Sequence, residues 1–487
     1  KALYTMNPAS DLETHNVAVG YNAGHGVTTG SQNTLIGSLA GDALTSGAGN
    51  TAVGYLALST EDAHGYNTAV GHSALSVYNA GATGNAVSVG YYSGFATTTA
   101  VNFTFLGMAS GAFCTTGDNS TFVGSQAGKG ITGAKLTGNN NTAVGKDAGL
   151  LLQGAAAENC IFGALAGDAI TTGGENCLFG MGAGGSIQTS IRNTFFGDDA
   201  GNTCTTGDSN VAMGHAAMGQ GVTTGDFNVA IGFTAGATLT SGTLNTVMGK
   251  NAGGSINTGT QNTFVGALAG DATDDGLNNT AVGYGALSAN CTNENVAVGA
   301  SALLISTSGR NTAVGMGAGD ANTTGGGNVY IGYDCAAYQN DATSGADNTY
   351  VGAFARPSAA TVGSEIAIGR YVLGQGTLTA TLGINGNGAT ISIDGSDTSW
   401  AAHSDERLKE NITTSTAGLS FINDLRPVTY TWKAKNAISE DFVNYYDADS
   451  TDPVNGVAGK TYHGFVAQEM KATIDAHSEV ANGNNLW

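Results

Sequence analysis

Proline, charged residues and aromatic side chains are all scarce in this sequence. Among 487 residues there are only 4 prolines, while charged residues make up 11% and aromatic residues 7%. No proline lies between Pro8 and Pro357, as expected where most backbone N–H groups are used in β-ladder hydrogen bonds. This scarcity argues against collagen and against a disordered Pro/Gly linker, two classes that the 77 glycines would otherwise suggest.

Paired cysteines and long apolar runs are also missing. The six cysteines are scattered without a Cys-x-x-Cys motif, which favours assembly in the cytosol over a disulfide-built secreted protein. Cys160 and Cys177 stand one repeat apart, and we expect both to be buried small apolar residues. The sequence shows no run of 18 apolar residues and no signal peptide, so no membrane insertion is expected.

Positive charge is the third scarcity. The chain has 16 Lys and Arg against 37 Asp and Glu, a net charge of −21, which disfavours nucleic acid and anionic membranes as partners. The acidic segment 271–275 is a candidate for Ca²⁺, but its spacing matches no known calcium loop. We therefore interpret it as a solvated turn and expect no metal and no cofactor.

What the sequence does contain is a five-residue segment that recurs along most of its length. Asn141-Thr142-Ala143-Val144-Gly145 is one copy, and we call this segment the pentad. There are 21 copies and 20 intervals between them, of which thirteen are 17 residues long. The closing glycines lie at positions 20, 37, 54, 71, 90, 107, 124, 145, 163, 180, 197, 214, 232, 249, 266, 283, 299, 315, 332, 352 and 369. Such a period indicates a solenoid rather than a set of globular domains.

The composition of the pentad predicts a short strand that is apolar on both faces. Its second and fourth residues point one way and its third, mostly Ala or Phe, points the other way. One face is expected to line the interior of the coil, and the other needs a cover, for which a second copy of the chain is the simplest candidate. A small residue, usually alanine, stands three positions after the glycine and would let backbones approach closely. Stacked coils would form a rod of about 100 Å.

Polar positions of the repeat carry further expectations. The asparagine that opens the pentad is expected to stack on the next asparagine and to bond the local backbone. Runs such as Thr28-Thr29-Gly30 are interpreted as turns in which glycine takes a positive φ. Three coils are longer than the others, and their extra residues, at 77–85, 128–140 and 338–347, are expected to bulge outward.

The pattern changes after residue 372. Segments 377–383 and 389–393 alternate like exposed strands around the turn at 385–388. All three tryptophans, Trp400, Trp432 and Trp487, lie at or beyond position 400. We predict a β-structured tip over 373–403 and a separate domain over 404–487.

Three segments of the last domain resemble one known family. The segments are Ser404-Asp405-Glu406-Arg407-Leu408-Lys409-Glu410-Asn411-Ile412, Leu425-Arg426-Pro427-Val428-Thr429-Tyr430-Thr431-Trp432 and Gly464-Phe465-Val466-Ala467-Gln468-Glu469-Met470. In this order they are similar to the intramolecular chaperone domain of phage tail fibres and endosialidase-type tailspikes. The resemblance implies a domain that drives trimerisation and, in many members, releases itself by a cut before the serine.

The resemblance also implies roles for individual residues. Ser404 would be the nucleophile, Lys409 its base, and the His403–Ser404 bond the one that is cut; a serine hydroxyl needs such a base, and burial would lower the pKa of the lysine. Supporting positions would be Asp405, Glu406, Arg407 and Asn411. The alternative is a helix N-cap followed by a solvated face, and both interpretations can hold. Any enzymatic activity would be a single-turnover self-cleavage by a Ser-Lys endopeptidase.

Family members usually continue into a long C-terminal helix, which we expect to be lacking here because the sequence stops at Trp487. The solenoid itself resembles, more loosely, the head repeats of trimeric bacterial adhesins, although its period is longer. The sequence thus predicts an all-β, trimeric parallel β-solenoid of about 21 coils with a small α+β chaperone domain. We divide it into an entry segment (1–15), a shaft (16–372), a tip (373–403) and the chaperone domain (404–487).

Three functions are compatible with this organisation. The first is a structural, receptor-binding phage tail fibre, located in the virion and assembled in the host cytoplasm. It would bind a host-surface receptor, with a glycan as one candidate, through Trp400 and the tip, and tail or baseplate proteins through its N-terminus. The alternatives are a bacterial trimeric surface adhesin and a polysaccharide-degrading tailspike, which would need a carboxylate pair in an aromatic groove.

Overall fold

The computed structural model describes residues 1–6, 13–81, 83–337, 342–395, 401–402, 419–439, 446–455 and 459–477. Two compact units divide the chain, Lys1–His403 and Ser404–Trp487. We call them the solenoid unit and the C-terminal unit and describe each by itself.

The solenoid unit contains one three-residue strand in each of its 21 coils. The strands β1 to β21 are Val17–Val19, Thr34–Ile36, Thr51–Val53, Thr68–Val70, Val87–Val89, Thr104–Leu106, Thr121–Val123, Thr142–Val144, Cys160–Phe162, Cys177–Phe179, Thr194–Phe196, Val211–Met213, Val229–Ile231, Thr246–Met248, Thr263–Val265, Thr280–Val282, Val296–Val298, Thr312–Val314, Val329–Ile331, Thr349–Val351 and Ile366–Ile368. Each strand pairs in parallel with that of the next coil, and equivalent residues face each other, as Thr51 faces Thr68. The parallel β-solenoid predicted from the period is confirmed.

The middle residue of the strand faces the interior of the coil. From β2 to β21 this residue is buried, whereas its two neighbours on the strand are half-buried or exposed. The alanine three positions after the pentad glycine, such as Ala40 or Ala183, is buried beside it. Aromatic middle residues stack between coils, with the ring centroids of Phe105 and Phe122 5.0 Å apart. The core is thus a thin column of small and flat side chains inside the coils.

The closing glycine of the pentad is required by both conformation and space. Gly180 has a φ of +139°, a region that side chains with a Cβ rarely adopt. A Cβ built on it would lie 2.2 Å from the carbonyl oxygen of Gly197 in the next coil. The Thr-Thr-Gly glycines have a different reason: Gly30 does not take a positive φ, contrary to our expectation, but its Cβ would lie 2.4 Å from the oxygen of Gly47.

A ladder of buried asparagines runs beside the strands, as predicted. The backbone N–H of Asn50 donates to Oδ1 of Asn33 at 2.9 Å, and the N–H of Asn67 donates to Oδ1 of Asn50 at 3.0 Å. The side-chain amide of Asn50 donates in turn to the carbonyl of His64 at 3.1 Å. Asn50 therefore satisfies backbone groups of two coils that would otherwise be buried without partners.

The ladder is interrupted in three successive coils, where the pentad opens with Ala86, Phe103 and Ser120. There a second ladder forms one residue earlier, on the surface. The side-chain amides of Asn85, Asn102 and Asn119 each donate to Oδ1 of the asparagine of the next coil, at 3.1, 3.4 and 3.3 Å, and the ladder ends at Asn140. Coil stacking is thus maintained by amide pairing even where the buried position holds another residue.

The coil between Gly124 and Gly145 shows how a longer repeat is accommodated. An antiparallel bridge between Ile131 and Ala134 closes a small projection, and Leu136 then returns to the core, where it is fully buried. Nothing lies within 4 Å of the position that a Cβ on Gly133 would occupy. The extra residues of this coil therefore project outward, as expected, while residues 338–341 of the last long coil are outside the described residues.

The tip continues the solenoid sheet and then reverses direction. Strand β22 (Thr379–Ile384) pairs in parallel with β21 and antiparallel with β23 (Asn387–Ser392), and β24 (Ala401–Ala402) pairs antiparallel with β23. Asn385 and Gly386, the two residues of the hairpin turn, both have positive φ, as a type I′ turn requires. The hairpin predicted from the Asn-Gly-Asn-Gly segment is present with a shift of one to two residues.

The C-terminal unit combines two short helices with a two-stranded sheet. Its elements are α1 (Leu419–Asp424), β25 (Val428–Tyr430), a 3₁₀ helix (Lys435–Ala437), β26 (Tyr462–Gly464) and α2 (Ala467–Ala476). Strands β25 and β26 are antiparallel, with Val428 opposite Gly464. None of the residues described in this unit is buried.

Candidate functional sites

The site proposed for self-cleavage falls on residues that the structure does not describe. These residues are His403, Ser404, Asp405, Glu406, Arg407, Lys409 and Asn411, and Trp400 of the tip is likewise outside. The roles assigned to them therefore stay predictions. The other two segments that carry the family resemblance lie largely within the described residues.

Those two segments meet through an ion pair. Arg426, just after α1, donates through Nε to Oε2 of Glu469 at 2.8 Å, and its Nη2 donates to Oε1 of the same carboxylate. Two parallel bonds between a guanidinium and a carboxylate fix distance and orientation together. The adjacent strands reinforce this contact, because Val428 follows Arg426 by two residues and pairs with Gly464. The two segments are therefore one structural element, although 43 residues separate the paired charges.

The ion pair shifts the titration of both partners in the expected directions. The hydrogen bond and the charge of Arg426 lower the pKa of Glu469 below its usual range. The same contacts raise the pKa of Arg426. Both side chains are exposed, so we regard the pair as an orienting contact, whose strength depends on salt, rather than as a main source of stability.

A second contact closes the other end of this arrangement. His477 follows α2, and its Nε2 lies 2.8 Å from Oδ2 of Asp424, the last residue of α1. The ring of His477 also packs edge-on against Phe421, with centroids 5.5 Å apart. Polar contacts thus link the C-terminal end of α1 and the residues after it to both ends of α2.

None of the large apolar side chains described in the C-terminal unit is buried, and several are exposed. Leu419 is 74% exposed, Ile422 56% and Phe465 48%. Leu419 and Ile422 belong to α1, which ends at Asp424. A unit of this size that exposes its apolar residues needs a partner surface to cover them.

Comparison with known families decides the identity of this unit. Residues 404–478 match the family model described as Chaperone of endosialidase, Peptidase_S74. The C-terminal unit is a chaperone-of-endosialidase domain. The resemblance inferred from the three sequence segments is confirmed, and the chain matches none of the curated proteins. The sequence analysis did not single out Arg426 and Glu469 as partners, because the fold is what brings their two segments of the chaperone domain together.

The chaperone domain follows a solenoid with a continuous apolar surface. The fourth pentad residue is Val, Ile, Leu, Phe or Met in all 21 coils, and in none of them is it buried. The second pentad residue, mostly Thr or Val, points to the same side and is never charged. We call these two columns the outer strand face. Stacked rings extend along it, with the centroids of Phe162 and Phe179 4.8 Å apart and those of Phe179 and Phe196 5.7 Å apart.

Two cysteines belong to this outer strand face. Cys160 and Cys177 pair in register on β9 and β10 and are half-buried, so our expectation that both are buried was wrong. The pattern contained the information, because both replace the second pentad residue, which points outward. Partial burial and the neighbouring Cys177 raise the pKa of the Cys160 thiol.

Two buried glutamates are structural rather than catalytic. In place of asparagine, the last pentad opens with Glu365, which accepts hydrogen bonds from the hydroxyl of Tyr350 at 2.8 Å and from the backbone N–H of Gly376 at 2.7 Å. Burial and this carboxylate raise the pKa of Tyr350. Glu365 therefore ends the asparagine ladder by binding the chain that leads into the tip.

The second buried glutamate, Glu61, belongs to a group of side chains that could in principle hold a metal ion. Among described residues, ligand atoms of three suitable side chains approach within 4.8 Å only at Glu61, Asp62 and His64. The carboxylate of Glu61 already accepts backbone N–H groups of Asp62, His64 and Ala80 at 2.9 to 3.1 Å. These bonds satisfy the buried charge and explain its position without a metal. The acidic segment 271–275 does not form such a cluster.

No helix within the described ranges has the length and the apolar character needed to cross a membrane.

Proposed function

We propose that this chain is the receptor-binding fibre of a phage tail and that it functions as a homotrimer. The observation that carries the proposal is the outer strand face, which leaves an uncharged apolar surface uncovered along 21 coils. Exposed apolar patches of this extent mark interfaces. A second and a third copy of the same chain offer matching surfaces of the same length and period.

The chaperone domain supports this proposal because it addresses the problem of register. Thirteen of the 20 intervals are identical, so three solenoids that zip together could align one coil out of step and lose only end contacts. A domain of unique sequence that trimerises first would set the register for all coils. The apolar side chains that this domain exposes as a single chain would be covered in the same step.

The processing step follows from the family resemblance. Ser404 is proposed to attack the carbonyl carbon of His403 while Lys409 accepts the hydroxyl proton and returns a proton to the departing amide nitrogen. Water then hydrolyses the resulting ester, leaving a shaft that ends at His403. Asp405, Glu406, Arg407 and Asn411 are proposed to orient these groups.

Receptor binding is proposed for the tip, residues 373–403 with Trp400, because the sides of a solenoid repeat and offer little unique chemistry. The long coils, at 77–85, 128–140 and 338–347, are secondary candidates. In this proposal the N-terminal end joins tail or baseplate proteins, and the mature trimer is part of the virion after assembly in the host cytoplasm.

The mass of the full chain under native conditions tests the oligomeric state. We expect three times 48.4 kDa, or three shaft fragments if cleavage occurs. Denaturing electrophoresis should then reveal a large fragment ending at His403 and a small fragment beginning at Ser404. Ser404→Ala and Lys409→Ala should give an intact chain that still trimerises. A stable monomer would refute the trimer, and an uncut wild-type chain in assembled particles would refute only the processing step.

A further inference from the structure

A polar cleft opens on the flank of the solenoid across four successive coils, those that end at Gly299, Gly315, Gly332 and Gly352. It has a volume of about 690 Å³, within the range of small-molecule sites, which is about 300 to 1,000 Å³. Its lining consists of Thr292, Asn293, Glu294, Gly309, Arg310, Gly326, Gly327 and Asp347. We call it the flank cleft.

Two features of the sequence create the flank cleft. The coils that end at Gly299 and Gly315 are the only two with 16 residues, so each lacks one residue that other coils present to the surface. In addition, the two positions that precede the pentad are occupied by glycine at three neighbouring places, 309, 326 and 327. Missing side chains at adjacent places leave a hollow with a backbone floor.

Space favours glycine at two positions of this floor. Gly327 has a φ of +73°, and a Cβ on it would lie 2.5 Å from Oδ1 of Asp347. A Cβ on Gly309 would lie 2.5 Å from the carbonyl oxygen of Asn293. Larger residues at these two positions would therefore meet these oxygens as well as fill the hollow.

The charged side chains around the floor alternate in sign along the stack. Glu294, Arg310 and Asp347 occupy the position directly before the pentad in their coils, and Gly327 leaves the gap between the last two. Nε of Arg310 is 4.0 Å from Oε2 of Glu294, too far for a hydrogen bond, and both side chains are largely exposed. The guanidinium can therefore turn toward a ligand without breaking a direct bond.

The donor and acceptor chemistry narrows the class of ligand. A guanidinium only donates hydrogen bonds and an ionised carboxylate only accepts them, whereas a hydroxyl group does both. A phosphate would face two carboxylates, and an ammonium ion would face Arg310. The lining also contains no apolar side chain, which disfavours a lipid or an aromatic ligand.

We propose that the flank cleft binds a saccharide unit, with Arg310 and the two carboxylates contacting neighbouring hydroxyl groups. This inference rests on the proposed receptor-binding function but places a site on the shaft rather than at the tip. Because the lining carries one positive and two negative side chains, it selects neutral sugars over uronic acids.

A matched pair of positions provides the control. Glu175 and Arg192 stand at the same place of neighbouring 17-residue coils, with φ values of 59° and 61°, against 66° and 61° for Glu294 and Arg310. They carry the same charges on the same backbone conformation but do not line the cleft. Arg192→Ala and Glu175→Ala thus reproduce the change in charge and in backbone strain.

Saturation-transfer NMR on the full-length protein with glucose, N-acetylglucosamine and glucuronic acid tests the inference. We expect binding of the two neutral sugars at millimolar concentration, with about tenfold weaker binding in Arg310→Ala or Glu294→Ala. Arg192→Ala and Glu175→Ala should bind as the wild type does.

The absence of any sugar signal, equal loss in the control variants, or preference for glucuronic acid would overturn the inference. Native mass on the same samples separates this outcome from the proposed function. A trimer without sugar binding refutes the flank cleft alone, whereas a monomer refutes the fibre whatever the sugar result.

Discussion

The solenoid unit and the C-terminal unit differ most in how they bury apolar side chains. Every coil of the solenoid from β2 onward buries the middle residue of its strand, whereas no described residue of the C-terminal unit is buried. The solenoid obtains its core from contacts between one coil and the next. The described part of the C-terminal unit leaves its apolar side chains half-buried or exposed, and we propose that other copies of the chain cover them.

The two units also differ in how much information they carry about alignment. Successive coils are nearly interchangeable, since a strand finds an in-register partner one coil above and one below. The chaperone domain has no internal repeat, and its paired segments are held by unique contacts such as Arg426 with Glu469. In the proposed function, the solenoid therefore supplies stability and the chaperone domain supplies the register.

Removal of residues 404–487 should have the largest effect on assembly, because it takes away the domain that we propose sets the register of the solenoid. Three shafts without the domain can still bury the outer strand face but have nothing to align them, so we expect misregistered and aggregated chains. Size-exclusion chromatography with light scattering after expression of 1–403 measures this directly. A shaft that was trimerised first and then cleaved should persist, because its dissociation is slow. The folding role is falsified if the truncated chain assembles into the same trimer as the full chain.

Placing charges on the outer strand face tests whether this surface of the solenoid forms the trimer interface. Replacement of Phe162, Phe179 and Phe196 by Asp places charges on three successive coils of the surface that we assign to the interface. Burying unpaired charge is costly, so we expect the trimer to separate in this segment or fail to form. Thr172, Thr189 and Thr206 have the same spacing and are exposed, and their change to Asp should leave the native mass unchanged. Equal behaviour of the two triple variants would move the interface elsewhere.

The periodicity was sufficient to predict most of the solenoid. One strand per repeat, the inward third residue, the buried alanine and the asparagine ladder follow from residue types at a fixed phase. The reason for the Thr-Thr-Gly glycines did not follow, because the closeness of Gly30 to Gly47 depends on coil spacing, which sequence alone does not provide. The burial of Cys160 and Cys177 was overestimated, because the second pentad residue faces outward whatever the size of its side chain.

Sites that depend on contacts between distant segments were harder to predict from the sequence. The chaperone domain was recognised from three short segments, but the pairing of Arg426 with Glu469 needed the fold. The flank cleft is a local absence of side chains, and a search for residues with chemical function does not detect missing ones. Its signal was present in the two 16-residue intervals and in the glycines at 309, 326 and 327.

Replacement of the closing glycine of one pentad tests the stacking of one coil on the next. Gly180→Ala forces a Cβ into a glycine-only conformation and to 2.2 Å from the Gly197 oxygen, and such backbone strain costs roughly 1 to 3 kcal/mol before the clash is counted. We expect a lower thermal transition and faster hydrogen exchange in the coils on both sides. Gly133→Ala, where a Cβ would have no neighbour within 4 Å, should behave as the wild type. Similar losses in both variants would indicate a general effect of glycine replacement.

Each asparagine of the ladder should contribute less to the stability of the solenoid than a closing glycine does. The side-chain amide of Asn176 donates to the carbonyl of Ser190 at 2.9 Å, and its Oδ1 accepts the backbone N–H of Asn193 at 3.0 Å. Asn176→Ala leaves these buried groups without partners, which costs about 2 kcal/mol. Because long repeat arrays depart from two-state unfolding, local hydrogen exchange is the appropriate measurement. Ser120→Ala is the control, since the bonds of Ser120 are 3.3 and 3.4 Å long, and it should have a smaller effect.

Loss of the ion pair in the chaperone domain should have the smallest effect on stability. That effect should depend on pH. Arg426 lowers the pKa of Glu469 in the folded domain, so the pair stabilises the domain above the ordinary glutamate pKa of about 4.3. This contribution is lost as the pH falls through the lower, folded-state value. Glu469→Gln should therefore lower the melting temperature slightly at pH 7, and the difference from wild type should vanish in acid and shrink in high salt. Asp475→Asn removes an exposed pair with Lys471 within α2 and is the control for loss of a helical ion pair. A difference between wild type and Glu469→Gln that stays constant down to pH 2 would mean that the carboxylate stabilises the domain through its shape rather than its charge.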